Sequence, residues 1–416
     1  MEFKKVKLGE IIKVQIDNRG RNPEKYINYS KFPVIDNYLI KNEKYPNIKN
    51  VNRYIDEDTK NNFLRGHLEK DDVIITLVGN GIGNVTMVPS SKCVIIQNTL
   101  GLRCNELMTN DFLYYTLISN RNKIVKYNRG SSQPSIRKTD LFSYEINVPT
   151  INYQKKITKI LNSLDSKIEI NNKIISNLES QAQAIFKSWF VDFEPFQDGN
   201  FVESELGMIP EGWEVKKVNE ICDLKIGRTP PRKESEWFSL KEGVKWVSIK
   251  DLGLSQMYIS EVTEYLTEES IEKFNIPIVE ENTLLLSFKL TVGRIAITTE
   301  KMCTNEAIAQ FKDPLISTLF LFYYFKNFKF ETLGNTSSIG NAVNSKIIKN
   351  IEVLVPPEKI VLKVMKMIEP LSICIRNLLT QNTKLAELRD ALLPKLMAGE
   401  IDVSNIKIEG EEVKNE

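Results

Sequence analysis

Residues 157–189 read ITKILNSLDSKIEINNKIISNLESQAQAIFKSW. Apolar side chains recur in this stretch at alternating steps of four and three, the spacing of a coiled-coil seam rather than of an ordinary surface helix. The ten seam positions are Ile157, Leu161, Leu164, Ile168, Asn171, Ile175, Leu178, Ala182, Ile185 and Trp189. The single polar member, Asn171, lies near the middle, where a buried polar residue can fix the register at some cost in stability. The sequence predicts one long helix that packs against another.

A second stretch, near the carboxyl end, repeats this scheme. Its seam positions are Val364, Ile368, Leu371, Ile375, Leu378, Asn382, Leu385, Leu388, Leu392 and Leu396. Asn382 is again a polar residue near the middle, so we expect an intramolecular antiparallel pair in which the polar centres satisfy one another. Pro370 interrupts the pattern, and we expect it to kink the helix or to delay its start.

The remainder of the chain is also duplicated. The matches, at displacements of 207 to 210 residues, are Glu10-Ile11 with Glu220-Ile221, Gly83 with Gly293, Tyr114-Tyr115 with Tyr323-Tyr324, and Val148-Pro149 with Val355-Pro356. A period of roughly 200 residues indicates a duplicated domain, because solenoid repeats are only about 20–50 residues long. We therefore expect an internal pseudo-twofold repeat.

Each copy begins with a mixed α/β pattern. Short β-branched runs predict strands, and an aromatic helical segment follows in both copies. The predicted strands are 73–78, 84–88 and 93–96, with closing strands at 144–148 and 351–355; the aromatic helical segments span 111–126 and 315–330, and polar loops span 128–138 and 334–344. The fold class is α/β (α+β), with two mixed domains joined by two long antiparallel coiled-coil helices.

These patterns give the domain boundaries. We place a first α/β domain at 1–151, a first long helix at 152–192, a linker at 193–210, a second α/β domain at 211–355, a second long helix at 356–398 and a charged tail at 399–416. The linker contains several turn-forming dipeptides, such as Glu194-Pro195 and Asp198-Gly199, which predict loop structure.

The composition excludes several classes of protein. No run of about 18 apolar residues predicts a membrane-spanning helix, and the first residues lack the apolar stretch of a signal peptide. The five cysteines are scattered and unpaired by motif, which favours a reducing cytoplasm without disulfides or a zinc site. With His67 as the only histidine, catalysis by a histidine base or a multi-histidine metal site is almost excluded. We expect no metal site.

Charge is distributed unevenly between the copies. Residues 1–150 contain 23 Lys and Arg against 16 Asp and Glu, a net charge of +7, whereas residues 201–355 contain 18 against 22, a net charge of −4. The first domain therefore has the charge expected of a DNA-binding surface. The second must concentrate its basic residues locally if it binds DNA.

Four stretches carry a family resemblance. They are Ala184–Phe193 (AIFKSWFVDF), Ile209–Val215 (IPEGWEV), Leu388–Met397 (LRDALLPKLM) and Gly130–Ile136 (GSSQPSI). Their order within a duplicated chain resembles the specificity subunits of type I restriction–modification systems. The chain departs from that pattern in its net-acidic second domain, and in having no match to Gln133-Pro134 there.

The resemblance implies a function and a set of partners. Each target-recognition domain is expected to read one half of a split site in double-stranded DNA, while the spacer helices set the spacing and dock two methyltransferase subunits. Restriction (translocase/nuclease) subunits join the full enzyme. The chain itself is then a non-catalytic subunit of an adenine methyltransferase and endonuclease complex in a bacterial or archaeal cytoplasm. It binds no cofactor, because S-adenosylmethionine, ATP and Mg belong to partner subunits.

Polar and basic residues in equivalent loops of both copies are the candidates for DNA contact. Arg, Ser, Asn and Gln supply the donors and acceptors that phosphates and base edges require. The candidates are Arg19, Arg21, Lys25, Arg129, Ser131, Ser132, Gln133 and Arg137 in the first domain, and Arg228, Thr229, Arg232, Lys233, Lys289, Arg294, Ser337 and Asn341 in the second. The alternative explanation for such clusters is an ordinary solvated surface.

The sequence contains only weak matches to catalytic motifs. The run Gly79-Asn80-Gly81-Ile82-Gly83 has the spacing G-x-G-x-G and precedes a predicted strand, so a hairpin turn is favoured over a nucleotide loop. Glu214-Val215-Lys216 lacks an Asp partner for a nuclease site, and Pro230-Pro231 and Pro356-Pro357 lack the neighbours of an adenine-methyltransferase loop. Two alternatives remain open: a non-catalytic coiled-coil scaffold whose α/β lobes bind proteins, and a subunit or enzyme of a related fused restriction–methylation system.

The missing catalytic motifs generate the first prediction. Because the chain has neither a glycine-rich cofactor loop nor a methyltransferase motif, calorimetric titration of the purified chain with S-adenosylmethionine should give no binding heat. A saturable heat at one site per chain would assign methyltransferase chemistry to this chain rather than to a partner.

Overall fold

The computed structural model describes residues 3–130, 132–333 and 343–407. Its contacts divide the chain into two compact units, Met1–Ile170 with Asn382–Glu416, and Asn171–Gln381. We call these the first and the second unit. Each combines one α/β domain with part of each long helix.

The first unit contains two main sheets. Its strands are β1 (Lys4–Lys7), β2 (Ile12–Ile16), β3 (Phe32–Pro33), β4 (Tyr54–Ile55), β5 (Val73–Thr76), β6 (Val85–Met87), β7 (Thr99–Cys104) and β8 (Glu145–Val148), and its helices are α1 (Asn110–Ser119), α2 (Arg121–Val125) and α3 (Lys138–Ser143). Four strands form an antiparallel sheet in the order β2-β7-β5-β6. The first and last strands, β1 and β8, form a separate antiparallel ladder in which Lys4 pairs with Val148. The long helix α4 (Ile151–Phe190) starts three residues later.

The second unit repeats this topology with additions. Its strands are β9 (Phe201–Ser204), β10 (Gly207–Pro210), β11 (Glu214–Lys217), β12 (Asp223–Ile226), β13 (Phe238–Ser239), β14 (Val244–Val247), β15 (Tyr258–Ile259), β16 (Glu264–Leu266), β17 (Ile278–Val279), β18 (Leu284–Ser287), β19 (Ile295–Thr298), β20 (Met302–Thr304), β21 (Ile308–Lys312) and β22 (Glu352–Val355). Its helices are α5 (Val218–Ile221), α6 (Ile249–Leu254), α7 (Glu268–Lys273), α8 (Thr318–Asn327), α9 (Ser345–Lys349) and α10 (Glu358–Ala398), which continues into the first unit.

The pairing of strands confirms the duplication. The order β12-β21-β18-β19 in the second unit repeats β2-β7-β5-β6, with β15 added at the edge. The ladder β11–β22 repeats β1–β8, because Glu214 pairs with Val355 as Lys4 pairs with Val148. A second five-stranded sheet, β13-β16-β14-β20-β17, is present in the second unit.

The central strand of each repeated sheet is buried on both faces. Side chains alternate across a strand, so Val73 and Ile75 join the core that contains α1, whereas Ile74 joins a second core. Leu284 and Leu286 pack with α8 in the same way, and Leu285 faces the other side. This arrangement explains why these strands are continuous apolar runs rather than alternating ones.

The predicted helices and their seams are present. In the first unit, Ile157, Leu161 and Leu396 are buried in one core, with Leu392 packed against it. In the second unit, Ile175, Ala182, Val364, Ile368 and Ile375 are buried in one core, against which Leu178, Ile185, Trp189, Leu371 and Leu378 pack. Leu164, Ile168, Asn382 and Leu385 are half-buried. The two long helices therefore pack on one another in an antiparallel sense within each unit.

A polar contact joins the two helices near the middle of the seam. Asn171 is fully buried, and its Nδ2 donates to Oε1 of Gln381 at 2.8 Å. Gln381 precedes Asn382 in the sequence, so this contact lies at the predicted polar centre.

Several sequence predictions require correction. Leu388 is 47% exposed, because Arg389 takes the inward position. Helix α10 starts at Glu358, so Pro370 does not delay it. The predicted strand 93–96 is buried but makes only an isolated parallel bridge between Val34 and Val94, because a buried apolar run does not by itself specify a ladder.

Four further predicted segments differ in detail from the structure. The predicted aromatic helix 111–126 is divided at Asn120 into α1 and α2, and the second such helix is confined to Thr318–Asn327. The linker contains the hairpin β9–β10, whose turn is closed by Ser204, the Oγ of which accepts from Leu206 N and donates to Gly207 O. The tail is packed as far as residue 407, since Val403 is buried and Lys156 Nζ donates to the carbonyl of Ser404 at 2.8 Å.

A buried ion pair fastens the helices to the first domain. Arg389 Nη1 lies 2.9 Å from Asp165 Oδ1, and the Asp165 side chain is only 6% exposed. Tyr115 on α1 donates its hydroxyl proton to Asp165 Oδ2 at 2.5 Å and also approaches Asn162. Burial, reinforced by Asp165, raises the pKa of Tyr115. Three elements thus meet at one carboxylate.

The second unit has no charges at the equivalent positions. A displacement of 207 residues relates α4 to α10, so Asp165 corresponds to Ser372 (165 + 207) and Arg389 to Ala182 (389 − 207). Both Ser372 and Ala182 are buried. A small uncharged pair therefore occupies the place of the ion pair.

This comparison generates a stability prediction. Asp165→Ser or Arg389→Ala alone should destabilise the first unit by about 3 kcal/mol, because each leaves a buried charge without its partner. The double variant reproduces the residues of the second unit and should recover most of that loss, as measured by the thermal unfolding midpoint of the full chain. Lys31→Ala, which breaks the exposed pair with Glu57, is the control and should cost less than about 1 kcal/mol. If the loss of stability in the double variant equalled the sum of the losses in the two single variants, the two side chains would not be coupled.

Candidate nucleic-acid interface

The register of the first sheet brings several loops to one edge. Ile16 at the end of β2 pairs with Gly101, Thr76 at the end of β5 pairs with Thr99, and Val85 at the start of β6 pairs with Ile75. The segments 17–31, 77–84 and 95–98 therefore lie together beyond these strand ends. We call this region the loop edge of the first domain.

The polar loop 128–137 closes onto the loop edge. Gly79 N donates to Pro134 O and Ile136 N donates to Leu77 O, each at 2.8 Å. Asn128 Oδ1 holds the loop itself by accepting from the backbone N–H groups of Gly130 and Ser135. Two groups of candidate residues that are more than a hundred positions apart in sequence thus share one surface.

Carboxylates accompany several of the basic candidates there. Arg19 makes a two-point contact with Asp17 at 2.7 and 2.8 Å, and Lys138 lies 3.5 Å from the same carboxylate. The hydrogen bond from Arg19 lowers the pKa of Asp17 to about 2. Arg129 pairs with Asp140 at 2.8 Å.

The remaining candidates of the first domain differ in exposure. Arg21 lies over the ring of Phe63 at 5.6 Å. Lys25, Ser132, Gln133 and Arg137 are exposed. Ser131 lies outside the described residues.

The second domain has an equivalent loop edge. Ile226 at the end of β12 pairs with Ala309, and Ser287 at the end of β18 pairs with Ile308. The segments 227–237, 288–294 and 305–307 are therefore together, as their counterparts are in the first domain. Gly227 fits tightly against Thr304, where a Cβ atom would collide with the backbone carbonyl.

Most of the basic candidates in the second domain contact other groups of that domain. Arg232 Nη1 lies 2.9 Å from both oxygens of Glu264, and its guanidinium is 4.4 Å from the centre of the Phe238 ring and 4.5 Å from that of Trp246. Arg228 donates to the carbonyl of Phe274 at 3.2 Å, and Thr229 donates to Glu306.

Arg294 and Lys289, two other candidates in this domain, differ in whether their side chains are used within the domain. Arg294 Nη1 donates to the carbonyl of Ile249 at 2.7 Å, so its side chain is used within the domain. Lys289 is exposed, as is Lys233. Ser337 and Asn341 lie outside the described residues.

The structure adds residues that the motifs did not indicate. Asp17, Asp140, Glu264 and Glu306 lower the positive charge of both loop edges, and the aromatic support of Arg232 was not apparent from the sequence. These ion pairs are partly exposed. A phosphate offers an arginine oxygen ligands similar to those of a carboxylate, so an incoming phosphate can take the place of the carboxylate. The arrangement suits an anionic polymer with base edges.

Other chemistry has little support within the described parts of the chain. The glycine run 79–83 joins antiparallel β5 and β6, which confirms the hairpin interpretation. Among the described residues, no group of three or more His, Cys, Asp or Glu side chains is placed to hold a metal ion. Burial raises the pKa of Cys93 to about 11 and that of Cys303 to about 12. No described helix is long and apolar enough to cross a membrane.

The comparison with protein families decides the classification. The family model described as the type I restriction modification DNA specificity domain matches residues 1–180 and again 210–388. This chain belongs to that family. Each matched range contains one α/β specificity domain with its loop edge, and much of the long helix that follows.

Relatives and a solved structure agree with this classification. The chain is 25% identical over 410 residues to the type I restriction enzyme HindI specificity subunit of Haemophilus influenzae, covering 80% of this chain and 87% of the relative. It is 28% identical over 288 residues to the MjaIX specificity subunit of Methanocaldococcus jannaschii, covering 67% and 65%. The crystal structure of a type I S subunit from M. genitalium has the same fold, with a TM-score of 0.54, 16% identity and coverage of 95% and 96%.

The position of Arg228 and Arg232 at the second loop edge generates a prediction. The double variant Arg228→Glu/Arg232→Glu should lose specific DNA binding by the assembled enzyme, because it places two negative charges where phosphates or bases approach. Electrophoretic shifts over a range of salt concentrations measure this. Loss of phosphate contacts alone should also reduce the slope of log affinity against log salt, by about one for each contact.

The matched control changes charge at the other end of the same sheet. Lys312 is the last residue of β21 and Lys301 follows the end of β19, so both lie at the end of the sheet opposite the loop edge. Lys301→Glu/Lys312→Glu should therefore leave specific binding nearly unchanged. Unchanged affinity and salt slope in the Arg228/Arg232 variant, with an unchanged thermal midpoint, would show that this loop does not contact DNA.

Proposed function

We propose that this chain is the DNA sequence-specificity subunit of a type I restriction–modification enzyme, and that each domain reads one half of a bipartite site through its loop edge. The observation that carries the proposal is the convergence of separate polar loops at the same edge of two equivalent sheets. A duplicated sheet with one such edge per copy supplies two independent binding surfaces in one chain.

The chemistry of the loop edges supports both parts of DNA recognition. Exposed or half-exposed Arg and Lys side chains supply phosphate contacts, which position a duplex without reading its sequence. Arg19 and Arg129 each hold a carboxylate through two nitrogens, and Nη1 of Arg232 contacts both oxygens of Glu264. Phosphate presents similar oxygen geometry. These arginines are therefore oriented for an anion before DNA binds.

The long helices are proposed to hold the two domains at a set spacing and to dock two methyltransferase subunits. Their packing edges are buried, yet each helix also exposes large apolar side chains. On α4 these are Ile170 and Ile174, and on α10 they are Leu362, Met367, Ile373 and Leu388. Apolar side chains on the outer face of a paired helix are typical of an interface with a further protein.

The proposal assigns all catalysis to partners in a bacterial or archaeal cytoplasm. Methyltransferase subunits would bring S-adenosylmethionine, and restriction subunits would bring ATP and Mg. This chain would contribute the choice of sequence and the platform for assembly.

Exchange of one domain tests the proposal. Replacing residues 1–150 with the equivalent segment of a relative should change one half of the methylated motif and leave the other half intact, because each loop edge belongs to one domain. The measurement is the methylome of cells that contain the chimaera and the partner methyltransferase. The matched exchange of residues 211–355 should change the other half. A change of both halves by either exchange would contradict separate recognition.

A further inference from the structure

A polar recess opens at the loop edge of the first domain. It has a volume of about 550 Å³, and four of its lining side chains are amides, from Asn37, Asn52, Gln97 and Asn98. Gln97 and Asn98 immediately precede β7, and the backbone N–H groups of Leu77 and Val78 both donate to the carbonyl of Asn98. The recess is therefore built into the same edge that gathers the basic loops.

Some of these amides are held by the protein at one end. Asn37 Nδ2 donates to the carbonyl of Val78 at 2.9 Å, while its buried Oδ1 has no partner among the described residues. Asn52 Oδ1 accepts from the Tyr38 hydroxyl at 2.9 Å. Such fixed amides each retain one group for a ligand.

Gln97 keeps both ends of its amide available. Its side chain is half-buried and makes no hydrogen bond to any described residue. It can therefore donate and accept at the same time. Asn98 also has an uncommitted amide and adopts the left-handed conformation with φ +63°, which Asn tolerates better than most residues.

The charge of the recess argues against a phosphate. The two charged side chains in its lining, Asp36 and Arg53, are paired with each other through two contacts, one of them 2.7 Å. What remains is an uncharged surface with both donors and acceptors. That chemistry matches a base edge rather than an anion or a cation.

We propose that Gln97 reads an adenine in the major groove, within the half-site bound by the first domain. Adenine presents the N7 acceptor beside the N6 donor, and a Gln or Asn amide matches both with two hydrogen bonds. Guanine would place an acceptor against the Gln97 carbonyl oxygen. Asn37, Asn52 and Asn98 supply further polar contacts around the same base pair. This inference rests on the proposed function of the chain.

The second domain differs at the corresponding positions. The paired strands set the displacement here at 209 residues, because Leu286 pairs with Ala309 as Ile75 pairs with Leu100. Gln97 therefore corresponds to Glu306 and Asn98 to Ala307. The Glu306 carboxylate accepts from the Thr229 hydroxyl, and alanine has no amide side chain. Adenine reading by a paired Gln and Asn thus belongs to the first half-site only.

Two substitutions at Gln97 test the proposal in the assembled methyltransferase. Gln97→Ala should weaken binding to the cognate duplex roughly 5- to 150-fold and make one A·T position of the first half-site tolerant of other bases. Gln97→Glu can only accept, so it should shift the preference at that same position towards cytosine, whose N4 group donates. The probes are libraries of duplex DNA randomised across both half-sites, read by binding selection and by methylation.

The control is Asn147→Ala, an exposed amide on β8 in the ladder with β1; it should leave the preferred sequence and affinity unchanged. Gln97 has no hydrogen bond to other described side chains, so both of its variants should keep the wild-type thermal midpoint. The proposal is overturned if the Gln97 variants keep the base preferences of the wild type. It is equally overturned if they weaken all sequences alike, which indicates a phosphate contact.

The same experiment separates this inference from the proposed function. If the wild-type complex prefers a bipartite site and the Gln97 variants keep that preference, only the assignment of Gln97 is wrong. A wild-type complex without any sequence preference contradicts the specificity function, and the adenine assignment with it.

Discussion

A short antiparallel ladder between the first and last strands is the constraint on which each domain depends. In the first domain it pairs Lys4 with Val148, and helix α4 starts three residues later. A slip of one residue would turn buried Ile146 and Val148 towards solvent, so the register is strongly specified. The helix therefore leaves the domain at one position and in one direction. The ladder of β11 with β22 repeats this constraint.

The ladder and the loop edge lie at opposite ends of the repeated sheet. Leu8–Ile11 lead from β1 into the start of β2, whereas the candidate DNA contacts follow its end. Binding can therefore rearrange loops and exchange carboxylate partners without moving the strands that hold the helix. A net-acidic second domain does not by itself rule out such a site, because contact depends on the side chains at one edge and not on the sum over 155 residues (201–355).

The sequence was informative where a property repeats locally. Seam residues such as Ile157 and Ile375 follow from periodicity, and the duplication follows from matched displacements. Long-range partners were not accessible in this way: Arg389 displaces Leu388 from the seam because it meets Asp165, 224 residues away. For the same reason the carboxylates beside Arg19 and Arg232, and the recess around Gln97, required the fold. The site assignments themselves remain predictions, and part of the loop 334–344 lies outside the described residues.

The ion pair of Asp165 and Arg389 has a consequence for how this chain can evolve. Either charge alone is costly in a buried place, so we expect single substitutions there to be selected against, while the neutral combination is already represented by Ser372 and Ala182 in the second unit. A change from the charged pair to the uncharged pair must pass through a less stable single variant, or both codons must change together. We expect these two positions to covary among relatives, which links residues that are far apart in the gene to one shared history.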